Sequence, residues 1–187
     1  FLQSLMDKPK RDLTLIVGGA KVDTKIELIN NFLHKADNII IGGGMAFTFM
    51  KAMGKNIGGS LLDESMIPVA LDLINKARMK NVNLVLPVDV ICAEKIDSQS
   101  VDGCYEIENI PRGVMGLDIG NKTIKLFEST LSLSKTILWN GPMGVFEKKQ
   151  FSNGTEKLGK SLSKLASQDA KVVVGGGDTA AALELFG

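Results

Sequence analysis

Short runs of apolar, mostly β-branched residues alternate along this chain with longer segments in which apolar residues recur every three to four positions. The short runs are typical of buried strands. They occupy residues 13–17, 38–41, 83–86, 136–139 and 171–174. The longer segments carry the helical period, as in Ile26, Ile29 and Leu33. This alternation predicts an α/β protein whose sheet is mostly parallel.

The predicted helices lie at residues 23–35, 45–52, 65–80, 121–133, 155–167 and 178–185. Because crossover helices cover a parallel sheet on both sides, we expect a three-layer, Rossmann-like, doubly wound fold with helices on both faces. An irregular stretch reaches Val114, and its turn signals at Asp102-Gly103 and Pro111-Arg112-Gly113 favour short antiparallel strands. We interpret residues 97–112 as an insertion, so that residues 1–187 form one domain.

Charge and composition exclude several classes of protein. Lys and Arg total 22 against 21 Asp and Glu, and a net charge of +1 gives no basic face for nucleic acid and no polybasic membrane anchor. No stretch approaches roughly 18 continuous apolar residues, which argues against a transmembrane helix. Cys92, Cys104 and the single histidine, His34, are too few for a disulfide framework, a four-ligand zinc site or a Ser-His-Asp triad. Because the first residue is Phe1, we expect a processed or partial chain.

Glycine clusters follow four of the predicted strands. They are Gly18-Gly19, Gly42-Gly43-Gly44, Asn140-Gly141-Pro142 and Gly175-Gly176-Gly177. In a parallel sheet these positions share the carboxyl edge, where glycine lets the backbone approach a ligand and helix starts favour phosphate. Tight turns that need positive φ would explain a single cluster equally well. Four clusters on one edge favour a phosphate-bearing ligand.

The chemistry of that ligand is less sharply defined by the motifs. A Walker A loop is absent, and residues 175–180 fit the dinucleotide fingerprint G-x-G-x-x-A only loosely, since its acidic partner would lie beyond Gly187. Asp178 directly at a phosphate loop suits a Mg²⁺ ion held between its carboxylate and the phosphates. A helix N-cap is the alternative role for Asp178.

Two lysines follow the first glycine cluster at helical spacing. Lys21 and Lys25 are four residues apart, so both are expected on one face in the first turn of a helix. Cations at the positive end of a helix are unfavourable for stability, and a bound polyphosphate would reverse that cost. Solvated surface lysines are the alternative.

Five motifs, in order, resemble those of phosphoglycerate kinase. They are residues 18–26, 41–49, 115–120, 138–147 and 174–180. Together they span nearly the whole chain, and the part of the family that they resemble is the carboxyl-terminal, nucleotide-binding half.

The resemblance implies a glycolytic kinase that converts 1,3-bisphosphoglycerate and ADP into 3-phosphoglycerate and ATP, with Mg²⁺ bound at Asp178. It implies catalytic roles for Lys21, Lys25 and Gly176 and places Asn140 near the β and γ phosphates. The adenine slot would be formed by Gly43, Gly44, Gly116 and Leu117, and the ribose would be surrounded by Pro142, Val145 and Glu147. The full set of implied nucleotide contacts is Gly18, Gly19, Lys21, Lys25, Gly43, Gly44, Gly116, Leu117, Asn140, Pro142, Gly144, Val145, Glu147, Gly175, Gly176, Gly177, Asp178 and Thr179.

The chain departs from the family in three respects. The half that binds phosphoglycerate through basic side chains is missing, and the arginines are only Arg11, Arg78 and Arg112. The family's last Thr-Gly-Gly-Gly loop would follow Gly187. Asn121 replaces a usual proline, and we expect it to cap a helix.

From the resemblance we expect a cytoplasmic, monomeric protein that binds adenine nucleotide. Phosphoglycerate would be bound through the missing amino-terminal domain, and the fragment would be inactive alone. Two other functions stay open on the residues themselves. One is an NAD-type dinucleotide-binding module, and the other is an α/β binding module without catalysis.

Overall fold

Two sheets organise the computed structural model, which describes residues 12–186. Arg11, one of the three arginines, lies outside the described residues. The strands are β1 (Leu13–Val17), β2 (Asn38–Ile41), β3 (Asn83–Val85), β4 (Asp89–Ala93), β5 (Gly103–Glu106), β6 (Met115–Ile119), β7 (Thr136–Asn140) and β8 (Lys171–Gly175). The helices are α1 (Ile26–Phe32), α2 (Ala46–Ala52), α3 (Ile67–Met79), α4 (Asn121–Leu131), α5 (Asn153–Ser167) and α6 (Gly177–Phe186). Short 3₁₀ helices lie at Asp23–Lys25, Glu64–Met66, Ile107–Asn109 and Lys149–Phe151.

The larger sheet has the order β3-β2-β1-β7-β8, and every neighbouring pair in it is parallel. The chain first builds outward from β1 to β2 and β3, and it later returns to place β7 on the other side of β1. The strand order therefore reverses between β1 and β7. In open α/β sheets, ligands bind in the crevice at the carboxyl ends of the strands beside such a reversal.

Alternate residues of β1 face opposite sides of the larger sheet. Leu15 belongs to a buried cluster that includes Ile29 of α1 and Leu73 of α3. Ile16 belongs to a second cluster that includes Phe127 of α4 and Leu158 of α5. Because each face of the sheet is covered by helices, the predicted three-layer, mostly parallel α/β fold is confirmed.

The smaller sheet is antiparallel, with the order β5-β4-β6. Short antiparallel strands were the expectation for the irregular stretch, and β4 and β5 confirm it. Strand β6 was not predicted, although Met115, Leu117 and Ile119 alternate with Gly116 and Asp118 as in a half-buried strand, a pattern that would leave Asp118 on the exposed face. Its Leu117 and Asp118 are nevertheless both buried.

Two local predictions need correction. The helix expected over residues 23–35 is divided into a 3₁₀ turn and α1, which ends at Phe32. Asn121 is not the cap of α4: Gly120 holds the N-cap position, and the Asp89 carboxylate accepts from Lys122 N (3.1 Å) and Thr123 N (2.7 Å). A buried carboxylate on a neighbouring strand thus does the capping that a local side chain was expected to do.

Among residues 12–186, none of the helices has the length and apolar character required to cross a bilayer.

Candidate functional site

A cavity of about 290 Å³ lies at the carboxyl edge of the larger sheet, between that edge and the smaller sheet. It adjoins the reversal of strand order, because its lining includes Gly19 after β1 and Pro142 after β7. The predicted site residues that line it are Gly19, Gly43, Gly44, Gly116, Leu117, Pro142, Gly144, Val145, Glu147 and Asp178. These residues come from all five sequence motifs, and the fold brings them around one space.

The turns after β1 and β7 are packed directly against each other. Gly18 N donates to Asn140 O, and Gly19 N donates to Pro142 O, both at 2.9 Å. A Cβ added at Gly18 would lie 2.2 Å from Pro142 O, and one added at Gly141 would lie 2.2 Å from Gly18 O. Glycine at 18 and 141 is therefore required by the close approach of the two backbones, which fixes the floor of the site.

Turn geometry explains part of the glycine content and not all of it. One glycine in each of the four clusters has positive φ: Gly19, Gly43, Gly141 and Gly176. Gly177 is different, since its φ is not positive and an added Cβ would meet no atom within 4 Å. Neither the turn nor the packing requires a glycine at this first position of α6. Close approach of a ligand to the backbone would explain it.

A second group of predicted residues lies beside the cavity, at the ends of β7 and β8. Lys25 is half-buried at the N-cap of α1, and its Nζ donates to Asn140 Oδ1 at 2.5 Å. An added Cβ at Gly176 would lie 3.0 Å from the same Oδ1. Burial lowers the pKa of Lys25, and the negative charge of Asp178 opposes that shift. The fold thus brings Lys25, Asn140, Gly176 and Asp178 together, although they are far apart in sequence.

The other predicted lysine has a different setting. Lys21 lies in the segment between β1 and the 3₁₀ turn, and its side chain is exposed. It is not among the residues that line the cavity. Of the two lysines, only Lys25 is held in a defined position by a contact at the strand ends.

Asp178 and Thr179 lie in the first turn of helix α6, which begins at Gly177. Asp178 is the second residue of α6 and lines the cavity, so its carboxylate does not occupy the N-cap position of the alternative interpretation. Thr179 is fully buried, and its Oγ1 accepts from Gly141 N at 2.7 Å. The Thr179 hydroxyl therefore ties the start of α6 to the turn after β7.

The donor set for a metal is small. Across residues 12–186 no group of three or more His, Cys, Asp or Glu side chains could hold an ion. One exposed carboxylate, Asp178, next to a phosphate-sized space still suits Mg²⁺, which is commonly held by one or two carboxylates together with substrate phosphates and water. The residues present therefore fit that ion.

The apolar walls of the cavity were not predicted from the sequence. They are formed in part by Phe47, Leu61, Val90, Ile96 and Met115. The sequence feature that relates to these walls is Gly116. A Cβ added there would lie 2.3 Å from Phe47 Cζ, so glycine at this position leaves room for the aromatic ring. The contact could not be predicted from the sequence, because Phe47 lies in α2 beside the larger sheet and Gly116 lies in strand β6 of the smaller sheet.

A larger cavity, of about 630 Å³, lies against the outer side of β3 and contains none of the glycine clusters. Its rim carries two ion pairs, Lys55 with Glu108 and Lys122 with Glu106. The glycine clusters and Asp178 all lie elsewhere, so the smaller cavity at the strand ends is the candidate site.

Comparison with known proteins gives a consistent relationship over the whole sequence. The sequence model of the family described as phosphoglycerate kinase matches residues 1–187. The chain is 47% identical over 187 residues to a phosphoglycerate kinase of Clostridium botulinum (strain Loch Maree / Type A3), covering 100% of this chain and 46% of that protein. It is 45% identical over 188 residues to one of Thermosipho africanus (strain TCF52B), covering 100% of this chain and 47% of that protein. The chain thus spans about half the length of the curated relatives it matches.

Solved structures agree with the fold. The structure of phosphoglycerate kinase from Coxiella burnetii matches with a TM-score of 0.93 and 41% identity over 99% of this chain and 47% of that one. The crystal structure of the Pyrococcus horikoshii OT3 enzyme matches with a TM-score of 0.74 at 24% identity, a likeness of fold alone. The family match over residues 1–187, the sequence identity and the structural similarity to the Coxiella burnetii protein agree, and we conclude that the chain belongs to the phosphoglycerate kinase family.

Proposed function

We propose that this chain carries the nucleotide-binding half of a phosphoglycerate kinase, which binds MgADP or MgATP in the cavity at the strand ends. The observation that carries the proposal is a cavity lined by the glycine-bearing ends of β1, β2 and β7 and by Asp178 at the start of α6, with Lys25 held beside it by Asn140. Backbone N–H groups and the positive end of α6 favour phosphate, while the apolar walls favour a planar base.

The proposed reaction transfers a phosphoryl group between 1,3-bisphosphoglycerate and ADP. A β-phosphate oxygen of ADP forms a bond to the acyl-phosphate phosphorus, and the bond from that phosphorus to the carboxyl oxygen breaks. The products are ATP and 3-phosphoglycerate, which leaves as a carboxylate. Both the attacking and the leaving oxygens are ionised at neutral pH, so no general base is needed and a chain with one histidine is sufficient.

The protein's task in such a transfer is to position the groups and to neutralise charge. We assign charge neutralisation on the transferring group to Lys25, whose ammonium group is oriented by Asn140. Backbone N–H groups of the 175–177 cluster would hold the phosphates, and the 141–147 loop would lie along the ribose with Glu147 accepting its hydroxyls. Asp178 would hold Mg²⁺, which would supply positive charge to the phosphates.

Calorimetric titration of the chain tests the nucleotide site. Heat and a single-site isotherm are expected for ADP with Mg²⁺, whereas NADH fluorescence is expected to stay unchanged on mixing. Absence of heat from a folded chain would contradict the proposal, and enhanced NADH fluorescence would favour a dinucleotide-binding module instead.

The metal assignment has its own test. Asp178→Asn should weaken binding of MgADP by about tenfold or more while changing metal-free ADP binding by less than about twofold, because only the metal-bound complex uses the carboxylate. Equal losses with and without Mg²⁺ would remove Asp178 from the metal site.

Catalysis requires the part that the relatives have and this sequence lacks. We expect no ATP formation by the chain alone and measurable ATP formation after mixing with the amino-terminal portion of the Clostridium botulinum relative, which would bind the phosphoglycerate. ADP binding without activity in the mixture would favour a non-catalytic binding module. The same proposal places the protein in glycolysis, in the cytoplasm, as a monomer.

A further inference from the structure

A buried aspartate that the proposed reaction does not use lies in the wall of the cavity. Asp118 is in the middle of β6, with 3% of its surface exposed. Its Oδ1 accepts from its neighbour Ile119 N at 2.8 Å, and its Oδ2 accepts from Gly154 N at 2.7 Å. Gly154 is in the first turn of α5, where the N–H groups lack partners within the helix. Asp118 therefore joins the smaller sheet to the start of α5.

The loop formed by residues 141–147 is packed on that junction. A Cβ added at Gly144 would lie 2.5 Å from Asp118 Oδ1 and 2.7 Å from Leu117 O. A Cβ added at Gly154 would lie 2.3 Å from the same Oδ1. The carboxylate thus fills the space that side chains at both positions would need, and Gly144 rests on it.

Two further hydrogen bonds hold the same loop to the two elements that Asp118 joins. Val145 N donates to Leu117 O of β6 at 2.9 Å. Met143 N donates to Thr155 Oγ1 of α5 at 3.0 Å. The position of the loop is therefore set by the distance between β6 and the start of α5, and Asp118 fixes that distance.

We propose that Asp118 is a positioning residue that sets the 141–147 loop as one wall of the nucleotide cavity. The inference rests on the proposed nucleotide site, and it concerns a wall residue whose two carboxylate oxygens are occupied by Ile119 N and Gly154 N, so that its role is to position the loop. Burial raises the pKa of Asp118 to about 7, against the opposing effect of the N–H groups of Gly154 and Ile119. Burying such a carboxyl group lowers the stability of the fold unless its hydrogen bonds compensate for the lost solvation.

The chain contains a matched control for this residue. Asp89 of β4 is also buried, and its carboxylate also accepts from the first-turn N–H groups of a helix, here Lys122 and Thr123 of α4. A Cβ added at Gly120 would lie 2.3 Å from Asp89 Oδ2, just as a Cβ added at Gly144 would lie 2.5 Å from Asp118 Oδ1. Asp89 does not line the cavity, and its carboxylate accepts from Cys104 and from the start of α4.

The test compares Asp118→Asn with Asp89→Asn in the same chain. An asparagine oxygen can replace only one of the two carboxylate oxygens, so each variant loses one of two backbone N–H contacts: Lys122 or Thr123 for Asp89, and Ile119 or Gly154 for Asp118. We expect Asp118→Asn to raise the Kd for ADP by about tenfold and Asp89→Asn by less than about twofold. Hydrogen exchange of the ligand-free chain should speed up in the peptide that covers residues 141–147 for Asp118→Asn alone.

Equal effects of the two variants on ADP affinity, or unchanged exchange of the loop in Asp118→Asn, would overturn the proposal. Gly154→Ala serves as a second variant, because its added Cβ would displace the Asp118 carboxylate while Gly154 does not line the cavity, so that ADP binding should weaken only through the loop. This second variant tests the proposal if Asp118→Asn does not fold. Should the wild-type chain fail to bind ADP, the proposed function fails, and the exchange comparison still decides whether Asp118 holds the loop.

Discussion

Lys25 owes its position to a residue more than a hundred places further along the chain. Its stem is half-buried at the start of α1, and its ammonium group donates to the Asn140 side chain at the end of β7. Burial lowers its pKa, and Asp178 opposes that change. A partly desolvated cation held in one place is better suited to a developing phosphate charge than a solvated lysine such as Lys21.

Replacing Lys25 by Ala should therefore affect the reaction more than the binding. In the mixture with the amino-terminal portion of a relative, we expect kcat to fall about 100-fold or more and ADP affinity to change by less than about tenfold. Steady-state kinetics and calorimetry measure the two quantities, and Lys125→Ala, an exposed lysine on α4, is the control. Equal losses in kcat and affinity would contradict a role in the transition state.

The raised pKa of Asp118 makes stability depend on pH in a predictable direction. The folded chain holds the Asp118 proton up to about pH 7, whereas the unfolded chain releases it near the ordinary value of 3.8. The contribution of this group is therefore complete below the unfolded pKa and is lost as pH rises through the folded pKa.

Relative to Asp118→Asn, which does not titrate, the wild-type chain should lose about 2 to 3 kcal/mol of unfolding free energy between about pH 5 and about pH 8. Urea unfolding of both proteins at the two pH values measures the difference, because all other titrating groups are common to both. The same pH dependence in wild type and variant would show that Asp118 titrates normally.

At the scale of elements, the turns from strand to helix have two kinds of glycine. Gly141 has a φ of 102°, and its close contact with Gly18 O leaves no room for a side chain. Gly177 begins α6 with open space around its Cβ position and without positive φ. The first kind serves the fold, and we attribute the second to the approach of phosphate.

Alanine substitution separates these two roles. Gly141→Ala should lower the unfolding free energy by at least about 2 kcal/mol, since it adds both backbone strain and a clash. Gly177→Ala should leave stability unchanged or raise it by up to about 1 kcal/mol, because alanine favours the helix, and should weaken ADP binding. Urea unfolding and calorimetry report the two effects; undiminished ADP affinity in Gly177→Ala would argue against phosphate contact at α6.

The sequence was a good guide to elements whose apolar pattern is local. Strands β1, β2, β7 and β8 lie within a residue of their predicted bounds, because each is a nearly continuous β-branched run. Strand β6 was missed because its burial comes from partners distant in sequence, on β4 and on the 141–147 loop. The capping of α4 by Asp89 was missed for the same reason, since capping rules consider only neighbours in the chain.

At the scale of the whole molecule, the ligand site is formed by connections between elements. The cavity takes residues from the ends of β1, β2 and β7, from β6 and from the start of α6. A ligand that binds there touches most of the fold and has no equivalent site in the unfolded chain. Binding should therefore stabilise the molecule as a unit.

We expect MgADP at about 100 times its Kd to raise the unfolding free energy by about 2.7 kcal/mol. Thermal or urea unfolding with and without the ligand measures this, and the same concentration of NADH is the control. A ligand-independent transition, with binding demonstrated by calorimetry, would mean that the site also exists in the unfolded ensemble.

The sequence by itself determined the α/β class and the position of the glycine clusters at the carboxyl ends of the strands, because those features follow from residue order and local period, whereas the nucleotide contacts of the glycines, lysines and aspartate stay predictions. Only the tertiary structure decided that Lys25 meets Asn140, that Phe47 fills the space over Gly116, and that Asp118 supports the 141–147 loop. These contacts join residues far apart in the chain. They depend on strand order and on the packing of one sheet against the other, which no local pattern encodes.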